Sequence, residues 1–184
     1  MQPNNQRLRL KAAATQPQIK EGWTGDLGET PLPVQVVLRF SAMPGAAERE
    51  ALSAAGITLL DYIPDNSYTA IVTRRADASV AARVPAAGLM SVTPEMKADN
   101  YLWRLGSRTA GNIKVLVSLY GIADLQHFTA LIQGLGGTFA ASTGWAVSCY
   151  EVTLPAQHLR KLAGWYGVRY VTPLVTPTTT DVQS

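Results

Sequence analysis

PVQVVLRF (Pro33–Phe40) and NIKVLVSL (Asn112–Leu119) are two versions of one segment. Val36 falls on Val115, Leu38 on Val117 and Phe40 on Leu119, an offset of 79. At the same offset Leu52 falls on Leu131, Gly88 on Gly167, and Val92-Thr93-Pro94 on Val171-Thr172-Pro173. A period this long exceeds the roughly 20–50 residues of solenoid repeats, so it marks a duplicated small domain. In each segment apolar residues alternate with the rest. Val34, Val36, Leu38 and Phe40 share one side, which is the pattern of a half-buried strand.

From that strand the rest of each unit can be read outward. In the first unit, Met43-Pro44-Gly45 turns the chain into a short Ala-rich helix over Ala46–Ala55. Gly56 closes that helix as a C′ residue, a position where glycine adopts positive φ without a Cβ penalty. Ile57–Ile63 predicts a second strand and Pro64-Asp65-Asn66-Ser67 a turn. Tyr68–Thr73 predicts a third strand, Ala76–Val84 a second helix, and Leu89–Thr93 a fourth strand stopped by Pro94.

The second unit repeats the order. Strands are predicted at Ile113–Tyr120, Thr138–Ser142, Trp145–Leu154 and Val168–Val171. Helices are predicted at Ile122–Leu135, with Leu125, Phe128, Ile132 and Leu135 on one stripe, and at Ala156–Ala163 behind Pro155.

Strand–helix–strand–strand–helix–strand folds as a split βαβ unit. The expected class is α+β: two tandem ferredoxin-like βαββαβ units, each a four-stranded antiparallel sheet with two helices on one face. The expected divisions are an extended arm (residues 1–33), unit one (34–99), a linker (100–111), unit two (112–175) and a tail (176–184). RLRLK (Arg7–Lys11) could add a strand to the arm. Such a sheet leaves its second face open. Val37 and Leu116 occupy the same outward position in the two copies and both are apolar. The face is therefore expected to be covered, either by the other unit or the arm, or by a partner.

Composition narrows the function. Hydrophobic residues make up 47% and charged residues 16%, so each unit can bury a core. No apolar run approaches the ~20 residues of a membrane span, and no membrane partner is expected. The polar start MQPNNQRLRLK carries no signal peptide, and a secreted chain would have had it removed. A net charge of +3 with scattered Arg and Lys is no nucleic-acid footprint. The third strands, SYTAIVT and AVSCYEV, lack the flanking glycine and basic residue of the RNA-recognition motif, although Tyr68 could stack. Cys149 is the one cysteine, which excludes an intrachain disulfide.

A catalytic constellation is not legible. His127 and His158 stand apart, no Cys-x-x-Cys occurs, and zinc or copper binding is not expected. Gly134-Leu135-Gly136-Gly137 follows a helix and caps it, rather than cradling a phosphate. No histidine is placed beside Cys149 to activate it. By alternation Cys149 shares the open-face side with Val147. The reading is of a non-enzyme without cofactors. Trp23, Trp103, Trp145 and Trp165 read as packing anchors.

The stretch VVLRFSAMPGAAEREALSAAGITLLDYIPDNSYTAIV resembles the N-terminal propeptide region of secreted subtilisin-like serine peptidases. The carrying features are Arg39-Phe40 at the end of the first strand, Ala51–Gly56 at the helix close, and Leu60-Asp61-Tyr62-Ile63-Pro64-Asp65-Asn66-Ser67-Tyr68. RLRLKAA and the ending Val168–Pro173 resemble the tandem-propeptide version found in bacterial extracellular peptidases. The resemblance implies a secreted, non-catalytic chaperone and inhibitor whose partner is a subtilisin-like protease domain, encoded downstream in the same gene.

By that resemblance the open sheet face packs on two helices of the protease. The tail lies in the substrate cleft as an added strand. Carried onto this chain, the docking positions are Leu116, Val147 and Cys149, and the inhibitory tail is Leu174, Val175, Thr176, Pro177 and Thr178. Pro177 departs from the pattern, because proline cannot donate to an added strand. The peptidase motifs Asp-Thr-Gly, His-Gly-Thr-His and Gly-Thr-Ser-Met do not occur. The competing readings are a secreted interaction or assembly module unrelated to proteases, and a small-molecule sensor with a site at Trp103.

Overall fold

The computed structural model describes residues 27, 30–75, 83–84, 86–142 and 148–174. The strand expected at Arg7–Lys11, Trp23, the body of the helix expected at Ala76–Val84, Trp145, Val147 and the tail from Val175 onward lie outside the described residues. The chain divides into two compact units between Met96 and Lys97.

In the first unit the alternating segment forms β1 (Val34–Phe40), followed by α1 (Ala46–Ala54), β2 (Ile57–Ile63), β3 (Ser67–Val72) and β4 (Ala86–Ser91). The strands form one antiparallel sheet in the order β2-β3-β1-β4. Val36, Leu38 and Phe40 of β1 pack with Leu52, Ile57, Tyr68, Ala70 and Val72 in the core. The Glu48 carboxylate accepts from the Gly45 N–H and holds the first turn of α1. Gly56 follows the helix at φ +83, the left-handed conformation its position predicts.

The second unit contains α2 (Asn100–Arg108), β5 (Asn112–Leu119), α3 (Leu125–Gly134), β6 (Thr138–Ala141), β7 (Cys149–Pro155), α4 (Leu159–Gly164) and β8 (Val168–Pro173). Its antiparallel order is β6-β7-β5-β8, position for position the order of the first. One core joins Val115, Val117, Val152 and Val171 of the sheet to Phe128 and Ile132 of α3 and to Leu159 and Leu162 of α4. Both of these helices therefore cover the same sheet face. The fold is α+β with two similar units.

Residues 100–111, expected as a linker, are largely helical. Asp99 precedes the helix in extended conformation, and Leu102 is fully buried in the second core. This segment belongs to the second unit. Leu125, expected on the apolar stripe of α3, is 48% exposed, because it opens the helix one turn before the core begins at Phe128.

The repeat is not in constant register. Both first strands carry a bulge at the offset of 79, between Arg39 and Phe40 and between Ser118 and Leu119. The glycines after the helices, Gly56 and Gly136, are both at positive φ and stand 80 apart. Asn66 and Ser148 are also both at positive φ and stand 82 apart. Their carbonyls accept from the N–H groups of Phe40 and Leu119 respectively. In β3 and β7 the partners of Leu38 and Val117 are Tyr68 and Tyr150, again 82 apart.

The expected correspondences downstream of the first strand are therefore corrected. The buried counterpart of Leu52 is Ile132, not the half-buried Leu131. Gly88 corresponds to Tyr170, since they face Arg39 and Ser118. Val92 corresponds to Leu174, whose N–H groups donate to Gln35 O and Lys114 O.

Candidate docking face

Residues directly opposite one another in a sheet point to the same side, as do residues two apart along a strand. Leu116 faces Glu151 on β7 and Thr172 on β8. Cys149 faces Ser118. Leu116 and Cys149 thus share the outer face of the second sheet, opposite the helices. Leu174 continues the β8 alternation onto that face and keeps its N–H on Lys114 O at 3.3 Å. Of the expected site residues these three are brought together. Val147, Val175, Thr176, Pro177 and Thr178 lie outside the described residues.

The three differ in what a partner could touch. Leu116 is 8% exposed, while Cys149, a free thiol, and Leu174 are half-buried. The exposed groups around Leu116 are charged: Lys114 on its own strand and Glu151 across from it. A shallow pocket of about 190 Å³ opens on this face, lined by Lys114, Thr138, Ala140, Glu151, Thr153 and Leu174, with Phe139 and Val152 contributing beneath. Among the described residues no ion pair joins Lys114 to Glu151. Neither charge is among the residues that apolarity singles out in the sequence.

The matching face of the first unit is different. The register counterparts of Lys114, Leu116, Glu151 and Thr153 are Gln35, Val37, Thr69 and Ile71. These four are 4%, 6%, 1% and 1% exposed. The expectation that Val37 and Leu116 are both covered holds for their side chains. Only in the first unit does the burial extend to the surrounding positions. Thr69 also uses its hydroxyl within the sheet, where Oγ1 accepts from the Asp61 N–H at 3.0 Å.

Among the described residues three ionisable groups are shifted by burial or by hydrogen bonds. Lys97 is 1% exposed, and its Nζ donates to Trp165 O at 2.9 Å, at the C-terminal end of α4. Burial lowers its pKa from 10.5 to about 7. Tyr170, opposite Ser118 and so on the outer face of the second sheet, has its pKa raised, first by burial and second by the charge of Asp99. Asp124 caps α3: Oδ1 accepts from the N–H groups of His127 at 3.2 Å and Gln126 at 2.8 Å, and these two bonds, His127 first, lower its carboxyl pKa. His127 lies 3.6 Å from Asp124 on the exposed start of that helix. Among the described residues no cluster of His, Cys, Asp or Glu could hold a metal ion. No helix among them is long and apolar enough to cross a membrane.

A family model described as a domain of unknown function (DUF8729) matches residues 3–93, just under half of the chain. The match takes in β1 to β4 and ends just short of the division after Met96. No curated protein and no solved structure matches the chain.

Proposed function

We propose that this chain is a propeptide-type module, non-catalytic and secreted, that assists the folding of a subtilisin-like serine protease and inhibits it. The observation that carries the reading is the asymmetry of the two outer faces. The first is buried within the chain, whereas the second keeps exposed groups and leads straight into Leu174. The backbone pairing of Leu174 with Lys114 O holds the chain extended where the tail begins. The sequence resemblance supports the same reading, because Leu60–Tyr68 spans the end of β2, its hairpin and the start of β3.

In this mechanism the outer face of the second sheet packs on the protease. Residues Leu174 to Thr178 enter the substrate cleft as an added strand. Main-chain hydrogen bonds supply affinity there and alternate side chains supply selectivity. The tail inhibits because it occupies the cleft as a product does. The docked sheet aids folding because it binds the native protease and not its unfolded chain.

The test is titration of the purified chain into a subtilisin-type protease with a chromogenic peptide substrate. Inhibition at micromolar concentration or below is expected. A chain ending at Pro173 is expected to bind and not inhibit. Absence of both binding and inhibition by the full chain, with its cognate enzyme included, overturns the proposal.

A further inference from the structure

Lys114 and Glu151 sit on adjacent strands in diagonal register, since Lys114 is directly opposite Thr153, two residues beyond Glu151. Diagonal neighbours have Cβ atoms about 7–8 Å apart. Thr153, opposite Lys114, and Leu116, opposite Glu151, complete the square between the two exposed charges, and Thr138 and Ala140 on β6 extend the pocket beyond Glu151. At the same two positions the first unit carries the uncharged Gln35 and Thr69, both buried. At these two positions, therefore, the open face carries charge and the covered face does not.

This arrangement has a physical consequence for any surface that covers the second face. A charge taken out of water without a counterpart carries a large desolvation cost, and removing one member of a buried pair is strongly destabilising. A counterpart in place offsets that cost and accelerates encounter. The pocket, at about 190 Å³, is smaller than the roughly 300–1,000 Å³ of small-molecule sites. Its size suits a protein side chain better than a free ligand.

Resting on the docking reading above, we infer that Lys114 and Glu151 select the protease: the face accepts a protein surface that sets a carboxylate against Lys114 and a basic side chain against Glu151. Leu116, between them, supplies flat packing and no recognition. The orientation of the two charges fixes which way round the partner lies, and a surface with the reverse pattern meets two like-charge contacts.

The experiment measures binding of the full chain and of Lys114→Glu, Glu151→Lys and Lys114→Gln to a subtilisin-type protease with its catalytic serine replaced by alanine. It is run at about 0.1 M and about 1 M salt, where the Debye length falls from about 10 Å to about 3 Å. Each charge reversal is expected to weaken binding at least tenfold at the lower salt, with the deficit shrinking at the higher. Lys114→Gln is expected to have a smaller effect than Lys114→Glu. Far-ultraviolet circular dichroism and melting of each variant check that the exposed substitutions leave the fold intact. If the parent chain binds and both reversals stay within twofold of it at both salts, this inference falls and the docking reading stands. If the parent chain does not bind, the docking reading itself falls, and the inference with it.

Discussion

Tyr68 in the first unit and Tyr150 in the second stand at one register position, opposite Leu38 and Val117, yet their rings are covered differently. Over Tyr68 lies the Arg49 guanidinium, 4.9 Å from the ring centroid, with Nη2 donating to the phenol oxygen at 2.5 Å. Around Tyr150 stand Phe128 and Phe139, each with its centroid 5.7 Å away. The first unit lays a cation and a hydrogen bond over the edge contacts that Tyr68 makes with Phe40 and Tyr62, whereas the cover in the second is aromatic and continues to Trp165. The outer faces diverge in the opposite sense, since the first is buried and the second is charged and open. The difference teaches that strand order and register survive duplication, while the groups laid over each sheet are free to change.

The largest expected effect concerns a group at the start of the second unit. Lys97 has a folded pKa of about 7 against 10.5 in the unfolded chain. Below pH 7 both states hold the proton, so the burial penalty is full and constant. Between about 7 and 10.5 the unfolded chain binds the proton more, so stability rises with pH across that window. A tenfold difference in proton affinity between the two states is worth about 1.4 kcal/mol, so the rise is at most about 5 kcal/mol. Lys97→Met is expected to flatten this slope in denaturant titrations repeated across the window. An unchanged slope would show that Lys97 does not carry it.

Next come the cores, where the corrected register can be broken. Leu52→Ala and Ile132→Ala each empty a fully buried site and are expected to cost about 2–5 kcal/mol. Leu131→Ala, on a half-buried residue, is expected to cost clearly less. Should Leu131 prove the costlier of the helix α3 pair, the constant offset of 79 would be restored. A smaller effect is expected from Arg49→Met, which removes the cation over Tyr68 and costs about 0.5–1 kcal/mol for the exposed cation–π contact, plus the hydrogen bond. The second unit, closed by Phe128, has no corresponding sensitivity.

The smallest expected effect is at Asp124, which caps α3 with its side chain where α1 has Gly45. Asp124→Ala is expected to lower the melting temperature slightly near neutral pH. The carboxyl pKa is lowered in the fold, so its contribution is present above the ordinary carboxylate range and lost on acidification. The parent and variant melting curves should therefore converge in acid.

Much of the fold was legible because period-two alternation and turn chemistry act locally. Ile57–Ile63 is a strand where it was expected, and Gly56 adopts the conformation expected of it. The helix at Asn100–Arg108 was not legible as part of a core, because only Leu102 is fully buried and a single anchor sets no period. The burial of Lys97 has no sequence signal at all, since lysine is rarely fully buried. At the candidate site, alternation put Leu116 and Cys149 on one face, and the backbone pairing with Lys114 O adds Leu174. What alternation does not carry is exposure. That depends on what covers the sheet, and it separates Leu116 from Lys114 and Glu151, and the second face from the first.

The growth of the offset from 79 to 82 governs how the two copies could be recombined. Side chains alternate sides with a period of two, so an odd slip exchanges the faces of a strand. Grafting the last strand of one unit into the other at an offset of 79 would seat the half-buried Val92 where Val171 is fully buried. At 82 Leu89 takes that place, because it faces Leu38 as Val171 faces Val117. A working chimera therefore has to change its numbering partway along, once at the helix and again at the hairpin, because those connections absorbed the extra residues and the strands did not.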